Sequence, residues 1–121
     1  MPIVKEHKDF HALDMERGWH VPLGYPAGIE QKILAGALNE AKRSGSRTRL
    51  LRFHPGARTT QPFVHDYWEE VYLITGDLIV HGNDRDRTFL ANTYACRPPG
   101  IYHGPFRSVT GCLLFETHYY A

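Results

Sequence analysis

Two short stretches of this 121-residue chain concentrate the side chains that ligate metals or move protons: Phe53 to Gly76, FHPGARTTQPFVHDYWEEVYLITG, and Pro98 to His103, PPGIYH. Imidazoles at His65 and His103 and carboxylates at Glu69 and Glu70 are donors that hold a divalent cation or act as general acid and base. His65 and Glu69 are four apart, a spacing that shares one face of a helix, but Pro62 and the β-branched run from Val71 argue against a helix here. On a straight strand the two would lie ~13 Å apart at ~3.3 Å per residue, too far to share one ion at ~2.0 to 2.2 Å. They converge only if Asp66-Tyr67-Trp68 turns the chain, so that His65 ends one strand and Glu69 begins its antiparallel neighbour. The two-residue period then turns Phe63 inward with His65, and Val71 and Leu73 inward with Glu69.

The elements that must position these groups read as strands. Up to residue 30 the pattern is irregular, with Trp19, Pro22, Gly24, Tyr25, Pro26 and Gly28 implying an extended lead-in with turns, laid across the rest of the domain or a neighbouring subunit. Ile29 to Gly36 alternates weakly and is a candidate strand. The stretch ALNEAKRSGS holds the chain's only run of helix formers, but it is short and ends in Ser44-Gly45-Ser46, which predicts an exposed loop with about one helical turn. TRLLRF is a strand closed by Pro55-Gly56. VYLITGDLIVHG reads as two strands with a turn or bulge at Gly76-Asp77. After the charged loop NDRDR, TFLANTYACRPPG contains a strand end and GCLLFETHYY is the last strand. There Glu116 and His118 share one face and Phe115 and Thr117 the other, and parity does not say which pair faces inward. Short strands between turn signals, without a long helical period, argue for an all-β sandwich or barrel.

Composition sets outer limits. An apolar fraction of 42%, a charged fraction of 22% and a formal charge of +1 describe an ordinary globule and give no electrostatic case for nucleic acid or membrane as the partner. MPIVKEHKDF lacks the apolar core of a secretory signal, and no apolar run approaches the ~20 residues of a membrane span, so the expected compartment is the cytoplasm. Cys96 and Cys112 are too few and too far apart for a zinc ribbon or a disulfide scaffold and read as reduced thiols in strands. The eight histidines are many for this length, with His54 and His81 placed beside turn signals as loop or surface residues.

The two stretches resemble the paired motifs of the cupin superfamily, G-x5-H-x-H-x3-4-E-x6-G and G-x5-P-x-G-x2-H-x3-N. Gly56, His65, Glu69 and Gly76 fit the first, and Pro98, Gly100 and His103 fit the second. SRTRLLRFHPGA is also similar to the opening of cupins grouped with acetylacetone dioxygenase and with zinc-binding anti-sigma domains. Three positions depart from the pattern. Phe63 stands for the first histidine of H-x-H, with one extra residue before it, Asn92 for the glycine that opens the second motif, and Arg107 for its closing asparagine. Asn92 is tolerable because Asn readily adopts positive φ.

The resemblance implies an all-β, cupin-type β-barrel (double-stranded β-helix) with an irregular N-terminal lead-in: one domain over residues 1–121, with 1–46 as extension and first strands and 47–121 as the motif-bearing barrel. It implies His65, Glu69 and His103 as metal ligands and catalytic residues, with Phe63 replacing a ligand by an apolar wall that holds a coordination position open. Two imidazoles and a carboxylate with open positions suit non-haem Fe(II), and zinc, manganese or nickel would also be accepted. Gln61 shares strand parity with Phe63 and His65 and is a candidate extra oxygen ligand. Glu69 is preferred over Glu70 on its spacing to Gly76, leaving Glu70 as an outward framework partner.

The implied activity is dioxygenase-like carbon–carbon cleavage, or a related metal-assisted reaction of a small oxygenated organic molecule, in a homodimer. Two rivals stand beside it: a metal-free epimerase or dehydratase using His65 or His103 as general base, and a non-catalytic small-molecule-binding cupin. Tyr67, Trp68, Tyr72, Tyr94, Tyr102, Phe106 and Phe115 are candidate pocket aromatics. If the Glu116/His118 pair faces inward, it places an acid or base behind the ligands.

Overall fold

The computed structural model describes residues 5–121. Seven strands follow the lead-in: β1 (Ile29–Asn39), β2 (Ser44–Phe53), β3 (Trp68–Val80), β4 (Arg87–Leu90), β5 (Thr93–Arg97), β6 (Phe106–Arg107) and β7 (Cys112–Tyr119). Every pairing between them is antiparallel, and the described residues contain no helix.

The order β1-β2-β7-β3 forms one wall, with β5 on the far side of the first half of β3. The second half of β3 leaves that wall and pairs with β4 and β6. Sequence reading divides this region into two strands. The structure makes it one 13-residue strand with a register shift between Leu73 and Thr75. Gly76 sits at the bend with φ 88°, and a Cβ there would lie 2.0 Å from the Gly111 carbonyl oxygen, so only glycine lets the two backbones approach.

The expected loop at ALNEAKRSGS is corrected to a hairpin. β1 runs on to Asn39, residues 40–43 turn, and β2 begins at Ser44. Leu38 pairs with Gly45 and Asn39 with Ser44, and the Asn39 Oδ1 accepts a 3.0 Å bond from the Lys42 amide. A short run of helix formers does not outweigh a ladder it can extend, because an isolated helical turn is costly to nucleate. TFLANTYACR likewise holds two strands rather than one strand end, joined at Ala91-Asn92. Asn92 has the positive φ expected of it, 68°.

Register lines up inward-facing residues in rows, since directly opposed residues of an antiparallel pair point to one face. Leu51, Leu114 and Leu73 make one row, with Phe53 and Cys112 beyond it. With Ile29 and Phe106 these form the core, and each fully buried leucine or isoleucine contributes roughly 1.5–3 kcal/mol. Toward the other end the rows turn polar. Arg49, Glu116 and Val71 form the next, and Arg47, His118, Glu69 and Arg97 the one after it. One end of the interior is therefore apolar and holds the fold, while the other carries the chemistry.

The lead-in lies against the β1 edge. His20 pairs with Gln31 through backbone bonds of 3.0 and 2.7 Å, and the Arg52 guanidinium sits 3.9 Å over the Trp19 ring. Tyr25 turns inward, its ring stacked 4.9 Å from that of Phe63.

Candidate metal centre and adjoining cavity

His65 and His103 come from segments outside the main strands, and the backbone clamps those segments together. Phe63 and His103 exchange two amide bonds, 2.7 and 2.9 Å, and the Gly100 amide donates to the His65 carbonyl at 2.8 Å. The turn through Asp66-Tyr67-Trp68 is present, although residues 60–67 pair only at Phe63 and do not make the expected strand. Tyr67 is buried, and its ring stacks on the His65 imidazole at 4.6 Å.

These constraints bring three predicted residues together. Glu69 Oε2 lies 3.2 Å from His103 Nε2 and 3.7 Å from His65 Nε2. Two donors at ~2.0 to 2.2 Å from one ion sit about 3.0–3.5 Å apart, so His103 already has ligand spacing and His65 needs only a few tenths of an ångström. His103 Nδ1 lies 3.2 Å from the Ile101 carbonyl oxygen. A carbonyl only accepts, so Nδ1 carries a proton and Nε2 faces the carboxylate oxygen. A cation, either a proton on Nε2 or a metal ion, fills that 3.2 Å approach, and Glu69 Oε2 is buried without a hydrogen-bond partner.

Burial pushes His65 down to about 4, and neighbouring His103 and His118 add to this against the pull of Glu69, so the imidazole is neutral at pH 7. Burial alone would raise Glu69, but His103 and His118 outweigh it and hold the carboxyl well below the usual range. A neutral imidazole and an ionised carboxylate are the forms that bind metal. The donor set fits one divalent ion held by His65, Glu69 and His103.

The open question of the last strand is resolved inward: Glu116 and His118 are both buried. Arg47 donates to His118 Nδ1 from Nε at 3.0 Å and from Nη2 at 2.8 Å. Because arginine only donates, the His118 proton is on Nε2, which stands 3.3 Å from Glu116 Oε1 and 3.6 Å from Glu69 Oε1. A protonated nitrogen cannot ligate, so His118 positions Glu69 from behind. Glu116 is engaged by Arg49, with Nη2 2.8 Å from Oε1, and Arg49 also donates to Gln31 Oε1 at 2.7 Å and to the Tyr25 hydroxyl at 3.3 Å. That network makes Glu116 a poorer ligand than Glu69.

Gln61 is exposed, which corrects the expectation that it might add an oxygen ligand. Glu70 points outward and accepts from the Tyr94 and Tyr119 hydroxyls at 2.5 and 2.8 Å, the framework role expected of it. Of the candidate pocket aromatics, Phe106 lines the interior and Tyr67 backs His65, whereas Tyr72, Tyr94, Tyr102 and Phe115 are exposed. His54 is exposed beside Glu30, and His81 pairs with Asp86 at the surface.

A small cavity of about 40 Å³, open at its mouth, adjoins the cluster. Glu69, His103 and Glu116 supply its acidic and imidazole groups, Phe63, Val71, Leu78 and Phe106 its apolar walls, and Tyr25 and Arg97 the remaining polar ones. Phe63 is the apolar wall expected of it, its ring 6.0 Å from that of His103 and 6.2 Å from that of His65.

This arrangement of strands recurs in solved structures. An RmlC-like cupin from Shewanella frigidimarina NCIMB 400 matches at a TM-score of 0.68 and 18% identity, over 98% of this chain and 96% of that one. The chain has the cupin fold. KdgF from a Halomonas species matches this cupin fold at 0.66 and 19% identity, over 90% of this chain and 93% of that one. An acetylacetone dioxygenase from Acinetobacter johnsonii does so at 0.69 and 18%, over 94% and 75% of the two chains. No family model and no curated protein matches the sequence.

Sequence reasoning does not find three residues of this cupin interior: Tyr25, Arg47 and Arg97. Tyr25 reads as one more turn residue among Pro and Gly. The two arginines become visible only through register, which places them in the row of His118 and Glu69.

Proposed function

We propose that the protein is a metal-dependent cupin enzyme acting on a small oxygenated organic molecule, with dioxygenase-like carbon–carbon cleavage as its reaction and Fe(II) as the ion. The observation that carries the reading is the 3.2 Å approach of His103 Nε2 to the buried Oε2 of Glu69, with His65 Nε2 3.7 Å from the same oxygen. The acetylacetone dioxygenase among the similar folds supports the choice of reaction.

His65, Glu69 and His103 would hold the ion, which would supply Lewis-acid chemistry and, as Fe(II), oxygen chemistry. Phe63 and Phe106 keep water from the cavity side, and His118 keeps the second Glu69 oxygen oriented. The buried hydroxyl of Tyr25, pushed up to about 12 mainly by burial, stays a proton donor at the cavity wall.

The test is elemental analysis of purified protein, followed by oxygen uptake with 1,3-diketones and phenols after iron loading. One ion per chain and iron-dependent uptake support the reading. Protein that binds no transition metal, or that turns over equally well after chelation, returns the site to acid–base chemistry or plain binding.

A further inference from the structure

Among the arginines at the polar end of the interior, Arg97 alone lacks a side-chain partner among the described residues. Arg49 is matched by Glu116, Arg47 donates to His118, and Glu69 faces three imidazoles. Arg97 has no hydrogen bond and no ion pair among the described residues, yet it is half-buried and lines the same cavity as Glu69 and His103. Its register explains this position: Arg97 is directly opposite Glu69 across β3 and β5, so both side chains leave the sheet on the same face. Its guanidinium carbon lies 6.0 Å from the Phe106 ring, against the apolar wall.

Charge matching gives the sign of the missing partner. Arg47 and Arg49 are offset by Glu69 and Glu116, which leaves Arg97 as surplus positive charge, and a divalent ion on Glu69 would add to it. A half-buried guanidinium does not shed its proton to relieve the imbalance, so the cavity favours an anion. Planar, forked N–H donors match a carboxylate in particular. The walls around the fork are apolar and aromatic, which fits a small organic acid better than an inorganic ion.

We propose that Arg97 anchors the carboxylate of a small, largely apolar organic acid in the cavity beside His65, Glu69 and His103. The assignment of the reacting end rests on the metal reading above, whereas the carboxylate anchor does not. The acid enters with its charged group on Arg97 and its apolar body between Phe63 and Phe106.

Calorimetric titration with benzoate and its neutral counterpart benzamide tests the proposal, on protein both metal-loaded and chelator-treated. Wild type should bind benzoate at least about tenfold more tightly than benzamide, the scale of a charged hydrogen-bonded pair. Arg97→Gln should erase that preference while leaving benzamide affinity and metal content unchanged. Arg97→Lys, which keeps the charge but not the fork, should retain part of it and serves if the glutamine variant does not fold. Failure of benzoate to bind, equal affinity for the two probes, or benzoate binding that survives both substitutions overturns the proposal, the last by placing the carboxylate elsewhere. An Arg97-dependent preference for benzoate supports the anchor in either preparation, and failure of the protein to take up metal on loading discards the metal reading alone.

Discussion

His118 and Glu69 lie directly opposite one another on β7 and β3, with His118 Nε2 3.6 Å from the Glu69 oxygen that faces away from His65 and His103. Since Arg47 fixes the His118 proton on Nε2, this imidazole orients the carboxylate without competing for the ion. Replacing such a partner typically weakens metal affinity about 10–100-fold. His118→Leu should therefore still bind one ion per chain, with affinity reduced by that factor in a zinc titration against a chelating dye. Complete loss of binding would make His118 a ligand, and unchanged affinity would remove it from the site.

His65→Ala and His103→Ala should each lose most bound metal while staying folded, because the apolar row of Leu51, Leu114 and Leu73 depends on neither. Far-UV circular dichroism and metal content, measured together, separate these effects. Phe63→His adds a nitrogen donor at a ring position about equally far from His65 and His103, and should tighten binding in the same dye assay. Unchanged affinity would show that the new imidazole does not reach the ion.

Arg49 and Glu116 form a buried pair, the two side chains 4% and 5% exposed. Removing one member leaves a buried charge unmatched, which costs about 3–5 kcal/mol. Arg49→Met should lower stability by that amount in urea unfolding, and Arg49→Met with Glu116→Leu should recover most of it. Additive losses in the double variant would contradict the pairing.

Asp77 ties β3 to the loop before β7, accepting from the Val109 amide at 2.9 Å and the Thr110 amide at 2.8 Å, and from the Ser108 and Thr110 hydroxyls. Burial alone would raise its carboxyl, but these bonds, led by the Thr110 hydroxyl, bring it down to about 2. A carboxyl held below its ordinary value stabilises the fold above about pH 4, and the contribution disappears as pH falls through about 2. Asp77→Asn should be less stable than wild type by about 2 kcal/mol at pH 7. Thermal melts between pH 7 and pH 2 should show that gap closing with acid, and a constant gap would assign it to packing.

What the sequence discloses is local. The spacing of His65 and Glu69 is incompatible with a shared ion on a helix-free, straight chain, so the turn at Asp66-Tyr67-Trp68 follows from residue types alone. The pairing of Glu116 with His118 on one face is legible for the same reason, but the choice of face depends on what lies across the sheet. Arg97 is hidden because its significance is its opposite number, Glu69, 28 positions earlier in the numbering. The β1–β2 hairpin is missed because helix formers dominate Ala37 to Lys42, and only the ladder they extend overrides them.

Tyr25 reaches the interior from the segment ahead of β1, whereas Glu69 comes from β3 and His65 and His103 from the two clamped loops. One side of the chamber thus comes from the lead-in, which Arg49 ties to the barrel through the Tyr25 hydroxyl. A new length or composition in that leading segment would reshape one wall of the chamber without altering the strands that present His118 and Glu69.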